Sequence, residues 1–257
     1  MINQTRRHLI TGISLVGVGA LLVGCKSNSP VTNSAATNNN PKKPDEQTSD
    51  EAAADVTAVE DLIREHGILR RALLVYQEAA IKLKQDPNSV APEELEKVVQ
   101  LFRAFGEDYH EKKLEETYIF PVVKRTQNEA SVYTDVLLAQ HARGREVTDY
   151  LLAVTKAEKF TTASVQPFVS ALETFVRMYE HHAAVEDTIV FPAWKEAIGP
   201  KEMDDLAAKF EEIEEQVFGE DGFDAAAKRM AEIEEHLGLA NLGMFTAPPP
   251  PARQESK

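Results

Sequence analysis

Tyr109-His110-Glu111-Lys112-Lys113-Leu114-Glu115-Glu116-Thr117-Tyr118-Ile119-Phe120-Pro121 is echoed further along the chain by Glu180-His181-His182-Ala183-Ala184-Val185-Glu186-Asp187-Thr188-Ile189-Val190-Phe191-Pro192. Both stretches have a helix-like pattern, set histidine and carboxylate on neighbouring turns and close on a Phe-Pro corner. Two further histidines, His66 and His141, lie in helical patterns upstream of the two copies. The resulting order is His66, His110 with Glu115, His141, then His182 with Glu186. It is the order that two metal ions inside a four-helix bundle require.

Outward from these copies, apolar residues recur at steps of three and four between a few clusters of glycine and proline. The pattern predicts helices from near Glu51 to Gln85, from about Pro92 to near Pro121 or a turn beyond, from about Ala130 to Ala157, and from near Pro167 to Ile198. Pro92, Glu93 and Glu94 suit a helix N-terminus, and Gly199-Pro200 suits a stop. Pro121 and Pro192 fall late in their helices and predict a kink or an early end. Two shorter helices are expected over Lys201–Val217 and Phe223–Leu237, with Phe210, Ile213, Val217, Met230, Ile233 and Leu237 as their buried stripe. The long β-branched runs that mark strands are missing. The expected fold is all-α: a four-helix up-down bundle, residues 53–199, with two additional C-terminal helices over 200–245 and an unfolded tail over 246–257.

The N-terminus reads as a processing segment rather than as fold. Arg6-Arg7 precedes an apolar run from Ile13 to Val23, too short to span a bilayer permanently, which ends in Leu22-Val23-Gly24-Cys25. Residues 1–24 are therefore expected to be a signal peptide of the twin-arginine type, with Cys25 as the lipidation site of a bacterial lipoprotein. Residues 25–52 have almost no large apolar side chain and are expected to form a disordered tether. The implied location is the periplasmic or cell-surface face of a bacterial membrane. Cys25 is the single cysteine, which excludes both an intrachain disulfide and a thiolate metal site. The net charge of −14 argues against a nucleic-acid partner.

Face by face, His66 falls in line with Val59, Leu62 or Ile63, Leu69 and Leu73, and His141 with Leu137, Leu138, Gly144, Thr148 and Leu151. Phe175, Met178, His182, Glu186 and Ile189 follow at helical steps, so His182 and Glu186 point inward together. A carboxylate on a core face needs a cation or a pairing partner. The second helix is less regular. His110 is five residues from Glu115, about 140° away on an ideal helix, whereas Glu111 shares the Glu115 face. His110 could enter through a π-bulge, Glu111 could replace it, or this half could be degraded. We expect the first, with Glu111 as the alternative ligand. His181 sits off the His182 face, and His8 and His236 lie outside the pattern. Imidazole and carboxylate without sulfur suit a pair of irons, and would also suit zinc or manganese.

The pattern resembles the hemerythrin / HHE cation-binding family from about Val56 to Pro192. The resemblance rests on Asp61-Leu62-Ile63-Arg64-Glu65-His66, on the two His…Glu…Phe-Pro corners and on Gln140-His141-Ala142-Arg143-Gly144-Arg145. It implies a four-helix bundle around two iron ions, oxo- or hydroxo-bridged, held by His66, His110, Glu115, His141, His182 and Glu186. It also implies a small ligand such as dioxygen, nitric oxide or peroxide, or metal buffering and delivery without catalysis. The third helix of oxygen-carrying hemerythrins has a second histidine where this chain has Arg145, which cannot be a ligand. Arg145 is expected near an open approach to the metals, paired with Glu115, Glu186 or a bound anion, and Tyr109 as an outer hydrogen-bond donor. The segment Phe210 to Phe245 resembles an extension found in a bacterial subgroup.

Overall fold

The computed structural model describes residues 56–251. The expected signal segment, Cys25 and the tether lie outside the described residues, as do residues 252–257 of the tail. Among the described residues every regular element is helical, and no helix is long and apolar enough to cross a membrane.

Helix α1 spans Ala58–Gln85. The Thr57 hydroxyl accepts the Glu60 N–H at 3.3 Å while the Glu60 carboxylate accepts the Thr57 N–H at 2.8 Å. This reciprocal cap places the start at Ala58, later than the expected Glu51. The second rod is α2, Pro92–Leu101, followed by a wide-turned stretch, π1, over Phe102–Ile119, and then α3, Phe120–Thr126. In π1 the backbone bonds reach five residues back; the last runs from the Phe120 N–H to the Glu115 carbonyl. Pro121 therefore does not end the rod. It occupies the first turn of α3, where the wide turn before it leaves room for a ring that would crowd a regular helix.

A short 3₁₀ turn, Glu129–Val132, leads into α4, Thr134–Thr155. Helix α5, Thr162–Val185, begins at a Thr161–Ser164 capping box. That cap outweighs Pro167, which was expected to mark the start and is instead carried inside the helix. A second wide turn, π2, covers Glu186–Val190, and α6 covers Phe191–Phe218. The expected stop at Gly199-Pro200 is a kink: Gly199 adopts φ 76° and helix resumes beyond it. Helix α7, Gly222–His236, is capped by Asp221.

Helix α1 packs along α5, α5 along α4, and α4 along α2 and π1, which return to α1, so the rods close a ring around one core. Phe175 meets Tyr76 and Phe102 edge to face within it, at centroid distances of 5.7 and 5.0 Å, and Tyr76 lies tilted 6.2 Å from Phe102. Each such buried ring contributes about 1.5–3 kcal/mol. The segments after Gly199 pack back on this bundle. Phe210 stacks on Trp194 at 6.0 Å, Met230 and Ile233 are buried, and Arg71 grips Glu234 at 2.6 and 2.9 Å. The expected stripe needs one correction: Val217 is 42% exposed. Its neighbour Phe218 turns inward instead, against Phe105 and Tyr109, because the helix ends there and the ring has an aromatic surface to cover.

Candidate metal centre

Four imidazoles and two carboxylates converge between the rods. His66 comes from α1, His110 and Glu115 from π1, His141 from α4, His182 from α5, and Glu186 is the first residue of π2. All six are buried. The wide turns of π1 carry His110 onto the Glu115 face, which regular helix geometry would not do. His110 Nε2 lies 3.3 Å from Glu115 Oε1. Glu111 turns elsewhere, accepting the Tyr179 hydroxyl at 2.7 Å and Arg145 Nη1 at 3.1 Å.

Both carboxylates straddle two histidine pairs. Glu115 turns Oε1 toward His110 and, at 4.0 Å, His66, and Oε2 toward His141 at 3.3 Å. Glu186 turns Oε2 toward His66 at 3.6 Å and Oε1 toward His182 at 3.0 Å. One pocket is thus bounded by His66 and His110, the other by His141 and His182, with each carboxylate offering one oxygen to each. His66, His110 and Glu115 bring ligand atoms within 4.8 Å of one another, and so do Glu115, His141, His182 and Glu186.

Each imidazole is oriented from behind. Nδ1 of His66 meets Asp187 at 2.7 Å, that of His110 Glu65 at 2.6 Å, that of His141 Glu116 at 3.0 Å, and that of His182 Gln140 at 2.9 Å. An acceptor at Nδ1 holds the proton there and leaves the Nε2 lone pair facing inward, the arrangement a metal-binding histidine needs. These four supports form a closed circuit, each rod steadying the histidine of the next. None of the four was assigned a role from sequence. Their signal is adjacency: Glu65-His66, Glu115-Glu116, Gln140-His141 and Glu186-Asp187 are neighbours, and neighbours on a helix diverge by about 100°. A residue beside a ligand therefore faces the adjoining rod.

The outer contacts continue. Arg70 pairs with Asp187, and Tyr109 donates to Glu65 at 3.1 Å. Arg145 reaches neither Glu115 nor Glu186; it holds Glu116 at 2.7 Å and Glu111. Nor does it line the cavity beside the centre, whose wall includes Leu69, Leu73, Phe102, Glu111, Tyr179 and Ala183. His181 is exposed, and His236, 60% exposed, lies 3.6 Å from Glu94.

The donor set fits cations. Both oxygens of Glu115, both of Glu186 and Nε2 of His110 are buried without a hydrogen-bond partner. Nε2 of His141 and Nε2 of His182 face each other at 3.0 Å, which repels unless a proton or a cation lies between them. Without a cation, protons do this work. Burial opposes charging His141, but Glu111, Glu115 and Glu116 raise it to about 10. Burial and His141 lower His182 to about 3. Burial and Glu115 push Glu186 well above the carboxylate range, whereas His110 and His141 overcome burial to hold Glu115 well below it.

The hemerythrin HHE cation binding domain matches residues 57–194. The chain belongs to that family. It is 39% identical over 242 residues to uncharacterized protein Rv1995 of Mycobacterium tuberculosis (strain ATCC 25618 / H37Rv), covering 94% of this chain and 90% of that protein. Uncharacterized protein Mb2018 of Mycobacterium bovis matches to the same extent. No solved structure matches significantly. The family's metal binding has its candidate ligands in the histidine–glutamate cluster described above.

Proposed function

We propose that this hemerythrin-like protein holds two iron ions in an up-down four-helix bundle and binds, senses or reacts with dioxygen, nitric oxide or peroxide. The observation that carries the reading is that Glu115 and Glu186 each present one oxygen to the His66–His110 pair and one to the His141–His182 pair. Those six residues would be the ligands. A pair of irons held there would supply redox and ligand-binding chemistry. The chain supplies orientation, through Asp187, Glu65, Glu116 and Gln140, and a small, largely apolar cavity that suits a diatomic or peroxide better than an organic substrate.

The lipobox-like Leu22-Val23-Gly24-Cys25 and the Arg6-Arg7 pair support export and a lipid anchor, with the domain on the periplasmic or cell-surface face. Cys25→Ser should release the protein from membranes, and replacing Arg6 and Arg7 by lysine should block export; unchanged fractionation of both would sink this part. For the centre, the test is metal content with the absorption spectrum before and after exposure to oxygen, nitric oxide and peroxide. Two irons per chain with a ligand-dependent near-ultraviolet band are expected. Loosely held metal, indifferent to all three, would replace the reading with metal buffering or delivery.

A further inference from the structure

The family match stops at residue 194, whereas a 94% match to the mycobacterial relatives is long enough to take in all of α6 and α7. This extension supplies none of the six inward-facing residues. It nevertheless reaches one histidine pair through an unbroken chain of contacts. Phe218, at the end of α6, sets its ring edge-on to Tyr109 with centroids 5.3 Å apart, and 6.0 Å from Phe105. Tyr109 is fully buried and donates its hydroxyl to Glu65 Oε1 at 3.1 Å. The other oxygen of Glu65 accepts the His110 Nδ1–H at 2.6 Å, and His110 Nε2 faces Glu115. The opposite pair is steadied from within the bundle, by Gln140 and by Glu116 with Arg145 behind it.

The turn between α6 and α7 is built around that phenylalanine. Gly219 takes a left-handed φ of 73°, which ends the helix directly after Phe218. A Cβ on Gly222 would stand 2.3 Å from Phe218 Cδ2, so only glycine lets the next helix begin against the ring. Buried Glu214 accepts the Phe223 N–H at 2.8 Å, and the Arg71–Glu234 fork ties α7 to α1.

We propose that the C-terminal extension positions the His66–His110 half of the centre. Through Phe218 and Tyr109 it fixes Glu65, and through Glu65 the orientation and tautomer of His110. The occupancy of one metal position is thereby tied to the docking of α6 and α7. The inference rests on the two-metal reading above.

The test uses the whole protein in detergent, stripped of metal and titrated with cobalt(II) by calorimetry and absorption. The unaltered protein should take up two equivalents. Tyr109→Phe keeps the ring against Phe218 and deletes only the hydroxyl. It should weaken one equivalent by about 10–100-fold and leave the other as it was. Gly222→Ala, made outside the bundle, should have the same selective effect, as should Phe218→Ala, with partial recovery in Phe218→Leu. Gln140→Ala should weaken the other equivalent, so that combining it with Tyr109→Phe weakens both. Unchanged affinities in Tyr109→Phe and Gly222→Ala, or equal weakening of both equivalents, would overturn the proposal. Fewer than two equivalents in the unaltered protein would sink the two-metal reading instead. The His110 Nδ1–H resonance of the metal-free protein separates the two cases. It should lose its protection from exchange in Tyr109→Phe, and retained protection refutes the positioning chain whatever the metal count.

Discussion

Replacing Glu186 by leucine should change stability in opposite directions with and without metal. In the stripped protein this carboxyl is fully buried, its titration pushed well above the carboxylate range by burial and Glu115, and neither oxygen has a hydrogen-bond partner. An unsatisfied buried polar group costs about 1–3 kcal/mol. Leucine has a similar volume, so stripped Glu186→Leu should be as stable as the stripped parent or up to about 3 kcal/mol more stable. The loaded protein behaves differently. Binding at a hundred times Kd adds about 2.7 kcal/mol per site, hence about 5 kcal/mol for two. At about 2–4 °C per kcal/mol for a domain of this size, loading should raise the parent Tm by about 10–20 °C. Glu186→Leu removes one oxygen from each pocket, so most of that rise should vanish. The assay is thermal denaturation of both proteins, stripped with chelator and reloaded with iron(II) under anaerobic conditions. A stripped variant that melts well below the stripped parent would instead make the carboxylate a structural bond, and a variant that keeps the full metal-dependent rise would show that Glu186 is not a ligand.

Metal uptake should release protons, because His141 is raised to about 10 and Glu186 is pushed well above the carboxylate range in the metal-free protein. Binding heats should then vary with the ionisation enthalpy of the buffer and affinity should rise with pH through neutrality; buffer-independent heats would contradict this. Glu107 is buried and raised to about 8, burial outweighing its hydrogen bond to Thr148 at 2.5 Å and its ion pair with Arg103 at 3.0 Å. Its folded value lies above the unfolded one, so the stability it contributes is present at acid pH and is lost as pH rises through about 8. Glu107→Gln should flatten the pH dependence of Tm between about 5 and 8, and an unaltered slope would show that another group carries it. A Cβ on residue 144 would lie 2.0 Å from the Tyr179 hydroxyl. Gly144→Ala should therefore cost about 1–3 kcal/mol in a denaturant melt, and Tyr179→Phe in the same chain should recover part of it.

Helix existence and the inward faces of His66, His141, His182 and Glu186 were legible because they depend on local periodicity, whereas Pro167 and Gly199-Pro200, expected to bound helices, lie inside them. Thr57 and Thr161 show the limit of that reading. Each moved a helix start away from the expected position, because a reciprocal side-chain cap is decided by two residues that a pattern of apolar spacing does not weigh. Val217 and Phe218 show another: both sit near the end of α6, and the choice between them depended on the aromatic surface of Phe105 and Tyr109, far away in sequence.

For the centre the division is sharper. Sequence alone specified an all-helical chain with histidine and glutamate recurring in a repeated order, since side-chain direction along a helix follows from residue number. On ideal periodicity His110 and Glu115 diverge by about 140° and Glu111 is the better match. Only the assembled structure, with wide turns through π1, places His110 in the cluster and Glu111 on Tyr179 and Arg145. The same holds for the circuit of Glu65, Glu116, Gln140 and Asp187. Each of these points away from its own helix, and its meaning depends on which rod stands opposite. Local periodicity says which way a side chain leaves its helix; what it meets there is set by packing between segments distant in the chain.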